Sequence, residues 1–202
     1  MITIGIDDAG AVAQLDALAA RLKRPHSLSL ILGREAVNQL RRHFQEKDRK
    51  EPNQLGGRRQ HFWRSVAQSV QVPRTSPDGQ SVTVAVSHPA IAQKVFGGVI
   101  RAKRSRYLTI PVQKESYGRT AETFEREMGV KLFFLRPKDG RQQAYLVRGL
   151  PNEQIRIEYI LKPSVNQKAD PDALPSTATL LNALLVRARA YVARATINPG
   201  AA

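Results

Sequence analysis

Apolar residues recur along the chain with two different periods, and the change of period divides it into three stretches. Near the start they step by three and four. Val12, Leu15, Leu18, Ala19 and Leu22 predict a helix from about Asp8 to Lys23. Asp7 or Asp8 stands where a carboxylate accepts bonds from first-turn amides, and Arg21, Lys23 and Arg24 sit at the end whose dipole favours cations. Pro25 ends this helix, and a weak alternation over residues 2–6 allows a short strand before it. Leu28, Leu32, Ala36, Leu40 and Phe44 then fall at steps of four, with Ile31 and Val37 beside them and Arg34, Arg41, Arg42 and His43 off the stripe. That pattern is one apolar face of a second helix, capped by Ser27. Residues 46–59 are polar, with Pro52 and the pair Gly56-Gly57, and predict a mobile loop before a short helix over residues 61–67.

From residue 70 the period becomes two. Val70-Gln71-Val72 and residues 81–86 alternate around the turn Pro77-Asp78-Gly79. His88-Pro89 breaks the strand, residues 90–96 allow a helical turn, and Gly97-Gly98 permits backbone that most residues avoid. Val99-Ile100 and residues 107–112 predict the two strands of one projecting hairpin arm, joined by the basic segment 101–106. Residues 113–130 are acidic and irregular. Residues 131–136 and 143–148 flank Pro137-Lys138-Asp139-Gly140, where Asp-Gly is a favoured hairpin turn. Ile155, Ile157, Tyr159 and Leu161 alternate with Arg156, Glu158, Ile160 and Lys162, which predicts a strand with one apolar face.

The last stretch returns to the helical period. Pro163, Pro171 and Pro175 mark a linker, and Leu181, Leu184, Leu185, Ala188, Tyr191, Val192 and Ala195 mark the apolar face of a helix over about residues 177–195. Helices, then grouped antiparallel strands, then a helix, without a βαβ rhythm, make the fold class α+β. The expected organisation is one α+β domain over residues 1–165, followed over residues 166–202 by a linker and a C-terminal helix that packs on the domain or on a neighbour.

Composition changes this picture through charge. The chain of 202 residues carries 32 Lys and Arg against 17 Asp and Glu, a net +15, while its apolar fraction of 42% is enough for an ordinary core. Such an excess predicts proximity to a polyanion, most often nucleic acid. It is placed on particular segments. Residues 34–64 hold nine bases and four acids, residues 131–168 hold eight and three, and Arg101-Ala102-Lys103-Arg104-Ser105-Arg106 holds four bases and no acid. There is no cysteine, which excludes disulfides, thiolate metal sites and thiol catalysis. No run of about 18 apolar residues predicts a membrane span, and the first residues lack the basic start and apolar run of a signal peptide.

Catalytic constellations are not found. His26, His43, His61 and His88 contain no pair at the i, i+4 spacing of a helical zinc site. Glu158 and Lys162, four apart on a strand, are expected on one face, but no third carboxylate completes a metal-dependent nuclease site. Gly56-Gly57 and Gly97-Gly98 lack the spacing and the lysine of a phosphate-binding loop. No enzyme activity, metal or cofactor is therefore expected. No Cys-His finger, heptad zipper or aromatic-rich sheet signature appears, so the charge suits a passing duplex backbone rather than base readout.

Several blocks together resemble a known family. They are residues 52–63 (Pro52-Asn53-Gln54-Leu55-Gly56-Gly57-Arg58-Arg59-Gln60-His61-Phe62-Trp63), Ser87-His88-Pro89 followed by residues 96–103, residues 107–112, and Leu161-Lys162-Pro163-Ser164-Val165. Their order and spacing are similar to the phage virion morphogenesis proteins of Mu-like long-tailed phages and prophages, relatives of tail-completion and head–tail joining proteins. The resemblance implies a structural role in the virion: head–tail joining, tail completion or tail termination at the neck or head-proximal tail end. It implies a homo-oligomeric ring, taken as a hexamer, around the DNA path, with adjacent neck and tail proteins as partners and no membrane. It implies residence in the host cytoplasm during assembly and in the neck or tail of the virion afterwards. On this basis Arg101, Lys103, Arg104 and Arg106 are candidate contacts to the DNA channel or to a partner, and Arg58, Arg59, Phe62 and Trp63 form a candidate assembly loop. The alternative is a free protein that binds duplex nucleic acid without sequence preference.

Overall fold

The computed structural model describes residues 19, 25–51, 55–56, 60–103, 105–138, 143–151 and 154–197. The fold is α+β, as expected: a long helix first, antiparallel strands in the middle, and a helix at the end. The helix expected before Pro25 and the Asp139-Gly140 turn lie outside the described residues. The chain divides into two compact units that are not contiguous in sequence. One comprises Met1–Glu46, Arg64–Pro89 and Leu174–Ala202, and the other Lys47–Trp63 and Ala90–Ala173. Contacts thus group the C-terminal helix with the N-terminal segments, whereas the sequence suggested a cut near residue 165.

Helix α1 spans Pro25–Lys50, with its residues up to Glu46 in the first unit. Proline suits the first helical turn, because its missing N–H has no intrahelical partner there. Lys47, Arg49 and Lys50 in the last turn complement the negative end of the dipole. The helix therefore takes up residues 46–50, which the sequence suggested as the start of a mobile loop. Its most buried row is Ser29, Gly33, Val37 and Phe44, one position round from the expected stripe, whose Leu28, Leu32, Ala36 and Leu40 are only half-buried. Small residues cause the rotation. A Cβ on Gly33 would meet Val82 Cγ2 at 2.5 Å and Pro73 Cβ at 2.6 Å, so the helix backbone comes down directly onto its neighbours. The Ser29 hydroxyl donates to the Gly79 carbonyl at 2.6 Å, which closes that approach.

Helix α2 covers Phe62–Gln68, as the sequence suggested. The following hairpin pairs β1, Arg74–Thr75, with β2, Val82–Thr83, and a bridge joins Val70 to Val86. Its turn is held by the Asp78 carboxylate, which accepts from the Gln80 amide at 3.0 Å and from the Ser76 hydroxyl. These bonds, the serine's first, draw the Asp78 carboxyl below its usual range. The terminal helix of this unit spans Thr177–Ile197, and none of its described residues is fully buried.

The second unit is built on strands. Helix α3, Ile91–Phe96, leads through Gly97 into β3, Gly98–Arg101. Gly97 has φ of 69°, and a Cβ there would lie 2.7 Å from the Gln167 carbonyl oxygen. Strand β4 is Leu108–Pro111, β5 is Phe133–Leu135, β6 is Ala144–Gly149, β7 is Ile155–Lys162 and β8 is Ser164–Gln167. The order β4-β7-β6-β5 makes a four-stranded antiparallel sheet, while β3 and β8 form a separate two-stranded ribbon.

Two expectations are corrected here. Residues 163–175 are not purely a linker, because Ser164–Gln167 form β8 against β3. Residues 113–130 are not irregular, because Ala121–Met128 form helix α4. Thr120 caps that helix by accepting from the Thr123 amide at 3.1 Å, and Gly129 ends it at φ of 64°. Phe124 on α4 is fully buried and sets its ring edge against Tyr159 of β7, with centroids 5.9 Å apart.

Candidate polyanion and assembly interface

The basic segment does not cap a hairpin. Val99 and Ile100 pair with Asn166 and Val165 of β8, whereas Leu108 to Pro111 pair with Lys162 to Tyr159 of β7. The arm expected over residues 99–112 is thus replaced by two strands that pair separately, β4 with β7 and β3 with β8, on either side of the bend at Pro163. Arg101 faces Ser164 and Leu108 faces Lys162, so the six residues between them stand opposite Pro163 alone. The described ones, 102–103 and 105–107, leave the ribbon as an excursion with both ends clamped. Proline explains the break in pairing, since it offers no N–H to a ladder.

Arg101, Lys103 and Arg106 are exposed on and around this excursion, and Arg104 lies outside the described residues. The Ser105 hydroxyl donates to the Tyr107 carbonyl at 2.6 Å, and the Arg106 guanidinium stands 5.5 Å from the Tyr107 ring centroid. Pairing also brings two cations that sequence reading did not connect with the segment. Lys162 sits beside its base and Lys168 follows the end of β8, and both are exposed. Only the register could have found them, because they lie some 60 residues away in the chain.

Of the proposed assembly loop, Arg58 and Arg59 lie outside the described residues. Trp63 is 3% exposed and anchors the interior. Its indole donates to Glu51 Oε2 at 2.6 Å, and Lys47 Nζ lies 4.9 Å from its ring centroid. Lys47 in turn pairs with Glu51 at 2.7 Å and Asp170 at 3.0 Å. Burial pushes the Lys47 ammonium down, but those two carboxylates outweigh it and leave the pKa raised. Phe62 is half-buried, with Lys94 5.6 Å from its ring centroid. His61 Nδ1 lies 2.9 Å from Asp48 Oδ2. Among the described residues no group of three or more His, Asp and Glu stands where it could hold a metal ion, and no helix is long and apolar enough to cross a membrane.

Glu158 and Lys162 do not share a face. Leu146 pairs with Tyr159 and Val147 with Ile157, so Glu158 is the extra residue of a bulge in β7. A bulge reverses the alternation, and it leaves Glu158 and Tyr159 both buried while Lys162 is exposed. Glu158 is 0% exposed, with Arg148 Nε at 2.8 Å and Arg156 Nε at 3.7 Å from Oε1. The Arg148 N–H is not aimed at the carboxylate. The contact is an ion pair without a directed hydrogen bond, and among the described residues neither Glu158 oxygen accepts one. Burial pushes the Glu158 carboxyl up, and the two arginines only partly offset it.

Around this pair the polar groups are densely connected. Arg156 Nη2 donates to Gln113 Oε1 at 3.0 Å and Glu115 Oε2 at 2.9 Å. The Ser116 hydroxyl lies 2.9 Å from the Glu158 carbonyl. The Tyr159 hydroxyl shares its proton among the carbonyls of Arg119 at 3.1 Å and of Ser116 and Thr120 at 3.3 Å. Burial, and then the Glu158 charge, push that phenol up to about 12.

No protein-family model matches the chain, and neither the curated proteins nor the solved structures contain a match.

Proposed function

We propose that this chain is a non-enzymatic assembly subunit of a tailed-phage neck or head-proximal tail end, joining copies of itself into a ring around the DNA path. The observation that carries this is the edge strand β5. It closes one side of the four-stranded sheet, and its adjacent side chains Phe133 and Phe134 are 60% and 56% exposed. A soluble monomer normally protects such an edge with charge, proline or a covering element, because its unpaired backbone invites another strand. Here β5 is only three residues long and is flanked by Lys131 and by Arg136-Pro137, yet two large aromatic side chains stand exposed on it. An edge on one copy and a different surface on the next is the head-to-tail contact from which closed rings are made.

A second support comes from the blocks that resemble the virion morphogenesis family. Residues 96–103, 107–112 and 161–165 are far apart in sequence yet fall on β3, β4 and the β7–β8 run, which are hydrogen-bonded neighbours. That pairing supports reading these three blocks as one structural feature. Exposed Leu181, Leu185 and Val186 on the terminal helix add a further apolar surface for partners.

Mass photometry of the purified chain tests the proposal, together with mass spectrometry of purified virions. A single defined oligomer is expected, reduced to monomer by Phe133→Lys with Phe134→Lys, and the polypeptide is expected in the particle. A wild-type monomer at every concentration, together with absence from virions, would overturn it. The alternative, a free duplex-binding protein, draws on the unpaired cations beside β3 and predicts such a monomer.

A further inference from the structure

We infer that the β7–β8 run, with the excursion it clamps, is a binding site for the phosphate backbone of duplex DNA, formed by Arg101, Lys103, Arg106, Lys162 and Lys168. This goes beyond the assembly proposal and does not require a ring. Three observations carry it. First, the paired stretches 98–111 and 159–169 contain six Lys and Arg and no Asp or Glu. Second, none of the five described cations makes an ion pair among the described residues, and all five are exposed. Elsewhere in the same unit Lys47, Arg119, Arg148 and Arg156 are each set against a carboxylate within 3.0 Å. Neutralising partners are therefore present in this unit but kept away from the ribbon.

Third, strand pairing brings the cations together: Arg101 and Lys162 lie on paired strands, Lys168 follows β8, and Lys103 and Arg106 lie on the excursion. Lys162 and Lys168 are six residues apart across the bend at Pro163, a span of at most about 20 Å at the strand rise. One strand of a B-form duplex presents roughly six phosphates over that length. Between the two lysines the excursion projects Lys103 and Arg106, steadied by the Ser105 hydroxyl bond and by the Tyr107 ring under Arg106. A preformed row loses little conformational freedom on binding. Exposed ammonium and guanidinium groups that meet phosphates position a duplex without reading its bases. An acidic peptide or an anionic lipid surface offers negative charge as well, but neither presents it at a fixed spacing along a stiff rod.

Fluorescence anisotropy with a short duplex of arbitrary sequence, titrated between about 50 and 200 mM salt, tests the site. Lys162→Gln with Lys168→Gln is expected to reduce the log–log salt slope by about two and to weaken binding on the order of tenfold or more. Arg101→Gln with Lys103→Gln and Arg106→Gln gives a larger loss. Arg34→Gln with Arg42→Gln removes the same net charge as the lysine pair, from exposed positions on α1, and leaves the slope unchanged. All three variants keep the wild-type thermal transition and the wild-type mass by photometry, so loss of the DNA site is separable from loss of assembly. The proposal is overturned if wild-type protein fails to bind the duplex or if the α1 variant lowers the slope as much as the lysine variant. It is equally overturned if phosphatidylserine vesicles or poly-glutamate bind as tightly with the same dependence on the ribbon lysines.

Discussion

Two groups of charge lie on the same unit and obey opposite rules. Around Glu158, two arginines, two carboxylates, a glutamine, a serine and a tyrosine are drawn together beneath α4, and each cation stands near an acid. Along β3, the excursion and β8, the cations stand in water with no acid on the paired stretches. The first arrangement is coupled and centred on the buried Glu158, so it acts on stability. A buried charge that loses its counter-ion is costly. The second is exposed, and surface charges contribute little to folding. It is available for recognition, where an unneutralised cation releases counterions from a polyanion. Equal residue types thus do different work according to what burial and pairing leave them.

That contrast is sharpest at Arg148, whose side chain is 14% exposed. Arg148→Met leaves Glu158 buried with its nearer counter-ion gone, and is expected to cost about 3–5 kcal/mol at neutral pH. Protonation of Glu158 relieves part of that cost, so urea melts at about pH 5 are expected to show a smaller loss than at pH 7. An equal loss at both values breaks the link to Glu158. Tyr159→Phe removes a hydroxyl shared by three carbonyls and is expected to cost about 1–2 kcal/mol in the same melts. An unchanged midpoint would show that those carbonyls are served by water instead.

Glu158→Gln tests the sign of the pKa shift. A carboxyl raised on folding binds its proton more tightly in the folded state. Its contribution is fully present below the unfolded value of about 4.5 and is lost as pH rises through the raised folded pKa. Wild-type protein is therefore expected to lose stability relative to this variant as pH rises above that value. A difference that runs the other way means the arginines outweigh desolvation, and a flat one means the two balance. The smallest effect belongs to the ribbon. Arg101→Gln with Lys103→Gln and Arg106→Gln is expected to change unfolding free energy by less than about 0.5 kcal/mol per site. A larger loss would make these cations structural and erase the contrast.

Local periodicity made much of this legible. The spacing of Ile155, Ile157, Tyr159 and Leu161 located β7, and Pro77-Asp78-Gly79 located the turn before β2. Helix α4 was missed because its charged residues hid a single buried Phe124, although Thr120 and Gly129 stood in the sequence as cap and stop. The row of α1 was displaced because Ser29 and Gly33 carry no hydrophobic signal, yet they let the backbone approach Pro73 and Val82. Strand β8 was hidden among prolines. Of the candidate site, Arg101, Lys103 and Arg106 were legible as a charge run, while Lys162 and Lys168 were not.

What the chain determined by itself was the α+β class, the strand and helix content and the excess of positive charge, because these follow from residue type and short-range spacing. Only the tertiary structure decided which strands pair. That pairing turned an expected hairpin arm into an excursion clamped by β7 and β8. It also placed the bulge that buries Glu158, and it set two distant lysines beside a basic loop. Register between remote segments depends on backbone hydrogen bonds that every residue but proline can make, so residue identity alone carries little record of it.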